Sequence, residues 1–502
     1  MTLAEFEPLA EAEKAVIAGL GTGHVTVLGN GTLPEADAGE DRQVRASLIR
    51  WLALGAPGDD KVHLHEKGLR IKGALVVSDG QVDPAIESAT SGLDLEGCTL
   101  SHDLILAYCR FQDNPLLQGA RVQSLNLHGA ALPGLNADRL EVRGNVFLLG
   151  VRATGEVRLP GAQVEGDLVC EGGRFENAGG VALSADSARV TGTLFWRKGS
   201  HSTGAIDLSN AEIGGISDDP ACWPGPDDLL LNRCRYGALT GTGVSGAERI
   251  RWLDLQTPAR WGDVFWPQPW EQCAKVLREM GHSKAARQVL IAKEERQRRG
   301  TRERAAARLS AIRRRIARVD RKAPAHDIDA RLAARSGLVE AWWQLAVLRL
   351  RDGALGALIA YGYRPLRAVW WLVAFWIFGA VLFGVAHGDG GFKPNNAFIL
   401  SKPEWAQCAA RSETLGDPSL TLSCWQEKDA AKGYPAFNPL LYSLDTLVPV
   451  VDLEVQAYWV PDERAAPWAR WYLWGHIGMG WFLALLAVAG FSGLVQSRAT
   501  EE

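Results

Sequence analysis

The sequence lacks the short motifs that mark common catalytic and cofactor sites. It contains no Walker A, HExxH, GxSxG or CxxC pattern, and GLGTG at 19–23 is not the GxGxxG turn of a dinucleotide-binding unit. His63 and His65 alternate beside Glu66, which is a weak pattern for a metal site. We therefore expect a protein that is not an enzyme and that holds neither a cofactor nor a metal ion.

Formal charge is missing from two long stretches near the C-terminal end. Residues 368–386 form an uncharged run of 19, and residues 471–495 contain no Asp, Glu, Lys or Arg over 25 positions. About 20 apolar residues in a helix cross the ~30 Å hydrocarbon core of a bilayer. Tryptophans lie at the ends of these runs, as in an aromatic belt, at Trp370, Trp371, Trp468, Trp471 and Trp474. We predict transmembrane helices at 367–387 and 468–496; the alternative is two buried helices of a soluble domain.

The charge that is present is unevenly divided along the chain. Residues 284–367 carry 21 Lys/Arg and 8 Asp/Glu, whereas residues 388–470 carry 7 and 11. The positive-inside rule places the basic segment in the cytoplasm and the acidic loop outside. We expect a multi-pass protein of the bacterial inner membrane with both termini in the cytoplasm and no signal peptide. Cys408 and Cys424 fall in the outer loop, where a disulfide can form.

A short motif recurs through the first half of the chain. A glycine precedes an alternating apolar segment in GNVFL, GEVRL, GDLVC, GTLFW and GAIDL, which begin at 144, 155, 166, 192 and 204. The spacing of about 11 residues, with one insertion, predicts stacked short strands around a continuous apolar core, which is a parallel β-solenoid. A β-sandwich is the alternative, because its strands recur at similar spacing. Residues 41–54 have helical periodicity and are expected to cap the coil.

Helical patterns follow the repeats. Residues 270–280 predict a helix that Gly281 ends, and a second helix follows it as an αα-hairpin rather than a DNA-reading motif. The run at 284–322 has a net charge of +11. Such a run can bind phosphates or lie against an anionic inner leaflet. The candidate ligand-binding residues are Arg298, Arg299, Arg302, Arg313, Arg314 and Arg315.

The segment between the two predicted spans is apolar but too interrupted to cross a bilayer. Asn438 suits a helix N-cap, and Pro439 suits the first helical position. A short helix is expected to run to Leu447 and to break at Pro449, with an extended piece after it. This order indicates a re-entrant pore loop over 438–455, because irregular backbone at membrane depth needs protein or a water path beside it.

The loop resembles the filter segment of two-span pore-loop cation channels, which are tetramers. Residues 446–452, TLVPVVD, match their Thr-Thr-Val-Gly-Tyr-Gly-Asp motif at three positions but lack both glycines. We therefore expect no potassium-grade selectivity, although rings of acidic side chains could favour cations. Gly480 and Ala484 predict a close helix contact. The predicted pore residues are Asp445, Thr446, Val448, Pro449, Asp452, Glu454 and His476.

Three stretches carry a resemblance to a bacterial family. VRATGEVRLPGAQVEGDLVC (151–170), RQVRASLIRWLALG (42–55) and WEQCAKVLREMGHSKAARQVLIAKE (270–294) resemble proteins that join a pentapeptide-like β-solenoid to a membrane-embedded C-terminus. Some of these proteins are labelled membrane-associated oxidoreductases. The expected fold class is a multidomain β + α membrane protein with a cytoplasmic parallel β-solenoid, a helical linker, and two transmembrane helices with a re-entrant pore loop.

The expected segments follow this order along the chain. They are an N-terminal helical cap (1–60), the β-solenoid (61–220), a solenoid end cap (221–268), a basic helical linker (269–335), an interfacial helix (336–366), the first span (367–387), an extracytoplasmic loop (388–437), the pore loop (438–455), the second span (468–496) and a cytoplasmic tail (497–502).

These patterns favour an oligomeric ion channel, expected to be a tetramer, that is gated or inhibited through its cytoplasmic domain. Bacterial pore-forming antiphage effectors share this plan, and the Hailong type, held shut by oligonucleotides, resembles the chain in architecture and in its Arg-rich segment. The expected partners are the lipid bilayer, ions, and a nucleotide or single-stranded oligonucleotide. The alternatives are a membrane-anchored solenoid scaffold for other proteins and a membrane-associated oxidoreductase.

Overall fold

The computed structural model describes residues 2–78, 92–256, 258, 262–322, 332–333, 335–364 and 366–491. The chain divides into two compact units, residues 1–300 and residues 301–502. Parallel β-structure dominates the first unit, and helices dominate the second.

Short strands make up most of the first unit. They are β1 (Thr26–Val27), β2 (Gln43–Arg45), β3 (Leu69–Lys72), β4 (Leu75–Val77), β5 (Leu104–Ala107), β6 (Arg110–Phe111), β7 (Arg121–Val122), β8 (Leu125–Asn126), β9 (Ala131–Leu132), β10 (Leu135–Asn136), β11 (Glu141–Val142), β12 (Val146–Phe147), β13 (Arg152–Ala153), β14 (Val157–Arg158), β15 (Gln163–Val164), β16 (Leu168–Val169), β17 (Arg174–Ser184), β18 (Arg189–Trp196), β19 (His201–Asp207), β20 (Glu212–Asp218), β21 (Leu229–Leu230) and β22 (Arg235–Gly241).

These strands stack into a parallel β-solenoid of about six turns, consistent with a pentapeptide-repeat-like fold. Val146 pairs with Leu125 of the preceding turn and with Leu168 of the following turn, so a turn takes 21 or 22 residues. The predicted solenoid is thus confirmed, and the parallel pairing rules out the antiparallel β-sandwich. The 11-residue repeat is half a turn, because four short strands complete each circuit.

Apolar side chains from successive turns fill the coil. Leu125, Val146 and Leu168 lie one above another, and each is at most 2% exposed. Burying such a side chain stabilises the fold by about 1.5–3 kcal/mol relative to leaving it exposed. A single turn has no neighbour against which to bury this face, so the turns stabilise one another.

The recurrent glycine lets the turns approach closely. A Cβ atom on Gly166 would lie 2.6 Å from the carbonyl oxygen of Gly144 in the preceding turn. The Gly166 N–H donates to that same oxygen at 3.0 Å, and Gly192 repeats the arrangement over Gly166. At Gly166 and Gly192, neither of which has a positive φ, the glycine is therefore needed for contact between backbones.

The helices of the first unit come before β3 or after β22 in the sequence. They are α1 (Glu11–Gly19), α2 (Ala46–Ala53), α3 (Gly246–Leu253), α4 (Pro267–Glu279) and the beginning of α5 (Ser283–Lys322), with 3-10 turns at Leu3–Phe6, Leu20–Thr22 and Pro220–Cys222. The helix predicted at 270–280 is confirmed as α4. It ends before Gly281, whose φ of +87° stops it.

The coil extends beyond the range of 61–220 given by the sequence. β1 and β2 lie within the segment expected to be a helical cap, and β22 ends at Gly241. Residues 43–45 are a strand and not part of the helix expected over 41–54. The reason is that Val44 pairs with Val76 and is fully buried in the coil.

A buried ion pair joins α3 to the last part of the coil. Arg249 donates from both terminal nitrogens to the two oxygens of Asp218, at 2.6 and 2.8 Å. Neither side chain is more than 3% exposed. Trp223 Nε1 donates to the same carboxylate at 2.7 Å. The aspartate is thus held by three bonds in a dry environment, where a charge without partners is costly.

The second unit is built mainly from helices. They are α6 (Leu338–Ile359), α7 (Leu366–Gly388), α8 (Ala397–Leu400), α9 (Pro403–Leu415), α10 (Leu420–Gln426), α11 (Pro439–Leu447), α12 (Val455–Tyr458) and α13 (Pro467–Phe491), with strands β23 (Phe392–Pro394) and β24 (Trp459–Pro461) and 3-10 turns at Ala360–Gly362 and Asp429–Ala431. Two of them, α7 and α13, are long and apolar enough to cross a membrane.

The structure also bears on the other expected segments of this unit. A disulfide joins Cys408 on α9 to Cys424 on α10. α6 lies within the range expected for an interfacial helix, and a bend at Ala360 and Tyr361, both with positive φ, separates it from α7. The expected tail at 497–502 and the end of the second span lie outside the described residues.

Candidate functional site

The short helix between the two apolar helices forms as the sequence predicts. α11 begins at Pro439, and the Asn438 side chain accepts hydrogen bonds from the N–H groups of Leu440 and Leu441 at 3.0 and 3.2 Å. These bonds satisfy donors that a helix start leaves unpaired. After Leu447 the chain is neither helix nor strand through residues 448–454, which we call the return segment.

α11 packs against α7 through its first turns. Trp376 Nε1 on α7 donates to the Leu440 carbonyl oxygen at 2.8 Å. Ser443 Oγ donates in the other direction, to the Trp376 carbonyl oxygen, at 2.7 Å. Both bonds join side chains to backbone carbonyls across the two helices, so they fix where α11 sits along α7.

The C-terminal end of α11 packs against α13 at a glycine. A Cβ atom on Gly480 would lie 1.7 Å from the Leu447 carbonyl oxygen and 2.6 Å from its carbon. Only a residue without a side chain leaves room for this carbonyl. The close contact predicted from Gly480 and Ala484 therefore involves α11, which the sequence pattern did not indicate.

A buried histidine ties α11 to α13. His476 Nε2 lies 3.3 Å from Ser443 Oγ and 3.2 Å from the Ser443 carbonyl oxygen, and Tyr472 OH lies 3.1 Å from His476 Nδ1. His476 is 1% exposed. Its ring nitrogens are thus occupied by protein groups within one chain, and the structure places it in a packing contact.

Helix geometry gives the depth that α11 reaches. Trp376 lies 12 residues before Gly388, the end of α7, or about 18 Å along a helix axis. Gly480 lies 13 residues after Pro467, the start of α13, or about 20 Å. α11 therefore reaches about the middle of both helices.

The chain enters and leaves this packing at the same end. Phe437, just before α11, stacks on His387 near the end of α7 with ring centroids 4.4 Å apart. After the return segment, β24 pairs with β23, which follows α7 directly; Lys393 lies opposite Val460. The segment from Phe437 to β24 therefore forms a hairpin that is inserted between α7 and α13 from one end.

Asp445 holds the two arms of this hairpin together. Its two carboxylate oxygens accept hydrogen bonds from the N–H groups of Leu453 and Gln456 at 2.7 and 2.8 Å. Asp445 is 9% exposed. Both oxygens hold the arm of the hairpin that follows α11. These bonds give the side chain a structural role, which is an alternative to its predicted role in a pore. Thr446, beside it, is also buried, and its hydroxyl donates to the Tyr442 carbonyl oxygen at 2.8 Å.

The return segment itself is open to its surroundings. Val450 is 90% exposed, while Val448 and Pro449 are partly buried. Asp452 and Glu454 are both exposed, and Asp452 Oδ1 accepts a bond from the Glu454 N–H at 3.0 Å. Of the predicted pore residues, the structure thus buries Asp445, Thr446 and His476, and it exposes the two acidic side chains nearest to the end where the chain leaves.

The predicted ligand-binding arginines on α5 divide into two groups. Arg298 pairs with Glu294 at 3.2 Å, and Arg302 pairs with Asp352 at 3.2 Å. The other four have no carboxylate partner within the part of the chain that the structure describes: Arg299, Arg313, Arg314 and Arg315. The available positive charge is therefore smaller than the sequence count indicates.

Sequence reasoning missed three residues of the hairpin contact. Trp376 and Ser443 make hydrogen bonds across helices, and Tyr472 bonds His476 within α13. A serine within an apolar segment was the available signal for one of them. Among the described residues, no three His, Cys, Asp or Glu side chains are placed to hold a metal ion. No family model, curated protein or solved structure matches the chain. Its function must therefore be argued from the site.

Proposed function

We propose that the chain is the subunit of an oligomeric ion channel in the bacterial inner membrane. In this proposal α7 and α13 cross the bilayer, the hairpin between them is a re-entrant pore loop, and the β-solenoid with its basic helix lies in the cytoplasm. The proposal assigns no catalytic step to the chain. Four subunits form the pore, as the resemblance to two-span channels implies.

The observation that carries this proposal is the depth of α11 between two apolar helices. If α7 and α13 cross a bilayer, the Leu447 carbonyl at Gly480 lies within the hydrocarbon layer. The return segment then exposes irregular backbone at that depth. Such backbone is tolerated only against protein or beside water. An ion path shared by several copies of the hairpin satisfies this requirement.

The exposed residues of the hairpin support assembly. Val450 and Leu453 are exposed apolar side chains on one chain, and two spans cannot enclose a path alone. Neighbouring subunits would cover part of this surface, and the rest would face the path. The absence of the two filter glycines from residues 446–452 argues for a weakly selective channel, because the potassium filter uses a ring of backbone carbonyls.

Asp452 and Glu454 are the acidic residues best suited to influence ions in this arrangement. Their side chains are exposed, whereas Asp445 is occupied by two backbone N–H groups. A ring of such carboxylates at a pore entrance attracts cations and repels anions. We therefore expect a preference for cations that depends on Asp452 and Glu454.

Ion flux in liposomes tests the proposal. The purified 502-residue chain should release a cation gradient, and D452N/E454Q should reduce the preference for cations over anions. The matched control is E427Q/D429N, which removes two exposed acidic charges from the same interhelical loop outside the hairpin. The control should leave selectivity unchanged. Absence of flux from correctly inserted protein would reject the channel and favour a membrane-anchored scaffold.

We further propose that the cytoplasmic part regulates the pore. A short single-stranded oligonucleotide is the candidate ligand, and the arginines without carboxylate partners on α5, such as Arg314 and Arg315, would contact its phosphates. Binding should weaken steeply with salt. An R314Q/R315Q variant should lose binding, and a wild-type protein that binds no oligonucleotide at low salt would remove this part of the proposal.

A further inference from the structure

A groove lies between α5 and α6 within the second unit. Its volume is about 670 Å³. Leu309 on α5 and Leu345 on α6 line it and are buried, while Trp342 and Leu350 on α6 line it and are exposed. The lining therefore combines buried and exposed apolar surface from two helices.

Two arginines line the same groove. Arg313 on α5 and Arg349 on α6 have no carboxylate partner among the residues that the structure describes. Two other arginines of this helix pair do have a carboxylate partner: Arg302 and Arg351 share Asp352, at 3.2 and 3.3 Å. The groove thus presents two positive charges that the described chain leaves uncompensated, next to apolar side chains.

α6 also presents apolar side chains along its length. Five large ones are at least half exposed, namely Val339, Trp342, Trp343, Val347 and Leu350. The helix leads through the bend at Ala360 into α7. An exposed apolar helix face of this kind is suited to the interface of a membrane. This step rests on the proposed function, in which α7 crosses the bilayer.

We propose that the groove binds one anionic phospholipid. Its phosphate bonds to Arg313 and Arg349, and an acyl chain packs against Trp342, Leu345 and Leu350. An arginine guanidinium matches a phosphate with two parallel hydrogen bonds, and basic pockets beside transmembrane helices on the cytoplasmic side hold anionic headgroups. An oligonucleotide would use the two charges but not the aliphatic lining, so the groove favours the lipid.

The test compares two double variants of the full chain. R313Q/R349Q removes the charges that line the groove, and R304Q/R318Q removes two exposed charges of α5 that do not line it. Each protein is placed in phosphatidylcholine nanodiscs containing phosphatidylglycerol, and native mass spectrometry counts the phosphatidylglycerol retained. R313Q/R349Q should weaken retention about 100-fold or more, which is the size of two charge-assisted contacts to one ligand. The control should weaken it far less.

A charge-conserving variant and competing ligands complete the test. R313K/R349K should retain part of the lipid, because lysine keeps the charge but not the two-bond geometry. Equal losses in the two glutamine variants would mean diffuse attraction and would overturn the site. Displacement of the lipid by inorganic phosphate or by a short oligonucleotide at equal concentration would overturn it as well.

The proposed function and the lipid site can fail separately. Protein that retains phosphatidylglycerol through Arg313 and Arg349 but passes no ions would refute the channel and leave the lipid site standing. Protein that passes ions while R313Q/R349Q retains lipid like wild type would leave the channel and refute the site. Each variant must give the same circular dichroism spectrum as wild type. If R313Q/R349Q does not fold, lipid retention by R313K/R349K is compared with that of wild type instead.

Discussion

Replacing Gly480 with alanine is the sharpest test of the packing between α11 and α13. The added Cβ would lie 1.7 Å from the Leu447 carbonyl oxygen and 3.1 Å from its Cα. Carbon atoms in ordinary contact lie about 3.5–4.0 Å apart. α11 or α13 must therefore shift by roughly 2 Å, and the neighbour that must give is backbone rather than a flexible side chain.

Two opposing effects set the expected magnitude. Alanine favours a helix over glycine by about 1 kcal/mol, which would stabilise α13 if nothing else changed. Overpacking of a close contact costs about 1–3 kcal/mol and sometimes more. We expect G480A to lose stability by up to about 2 kcal/mol in net terms and to change or abolish ion flux, since the end of α11 must move.

The same helix provides matched controls. Gly475 and Gly478 have no heavy atom within 4 Å of an added Cβ, so G475A and G478A should keep only the favourable helix effect. Thermal unfolding of the purified full chain gives the order of stability, and liposome flux gives the functional consequence. If G480A matched the two controls in both measurements, the insertion of α11 between the apolar helices would be wrong.

Three further perturbations test other parts of the structure. D445A removes two charge-assisted hydrogen bonds, worth about 1.5–3 kcal/mol each. The Leu453 and Gln456 amides lose one bond each, so hydrogen exchange at each amide should accelerate about tenfold or more. Unchanged exchange would contradict these two bonds. D218N leaves the fully buried Arg249 guanidinium poorly paired. It should lower the free energy of unfolding in denaturant by about 3–5 kcal/mol. A decrease no larger than that of a surface substitution would contradict the buried ion pair. C408S/C424S removes the disulfide that closes a loop whose ends are 16 residues apart. It should lower the free energy of unfolding by about 3 kcal/mol. Identical thermal unfolding with and without a reductant would mean that the bridge is absent from the purified protein.

The sequence predicted those elements whose signals are local or periodic. The solenoid follows from a glycine repeated before alternating apolar residues, and the start of α11 follows from Asn438 and Pro439. Both signals depend only on neighbouring residues and on backbone geometry. The 11-residue step could not be assigned to half a turn, because spacing along the chain does not show how many strands complete a circuit.

The roles of charged residues could not be predicted in the same way. Arg302 belongs to a run of net charge +11, yet its partner Asp352 is 50 residues away on α6. Asp445 is an ionisable group in an apolar segment, a feature that suggests function, yet both oxygens bind backbone N–H groups of the return arm. Pairings between separate helices depend on tertiary packing, and a charge count does not contain that information.

The two hydrogen bonds of Asp445 bear on where the proposed channel would control its ion path. With that carboxylate bound to two N–H groups, the deepest part of the hairpin offers Val448, Pro449 and the exposed Val450 to its surroundings. Copies of these side chains around an axis would form an apolar constriction, and such constrictions gate channels by excluding water. Asp452 and Glu454 would lie further towards the end where the chain leaves. In this arrangement the acidic residues would influence which ions approach, and the constriction formed by Val448, Pro449 and Val450 would open or close the path. In the proposed channel, opening would require the ends of α11 to separate, and the contact of α11 with Gly480 on α13 would control that movement.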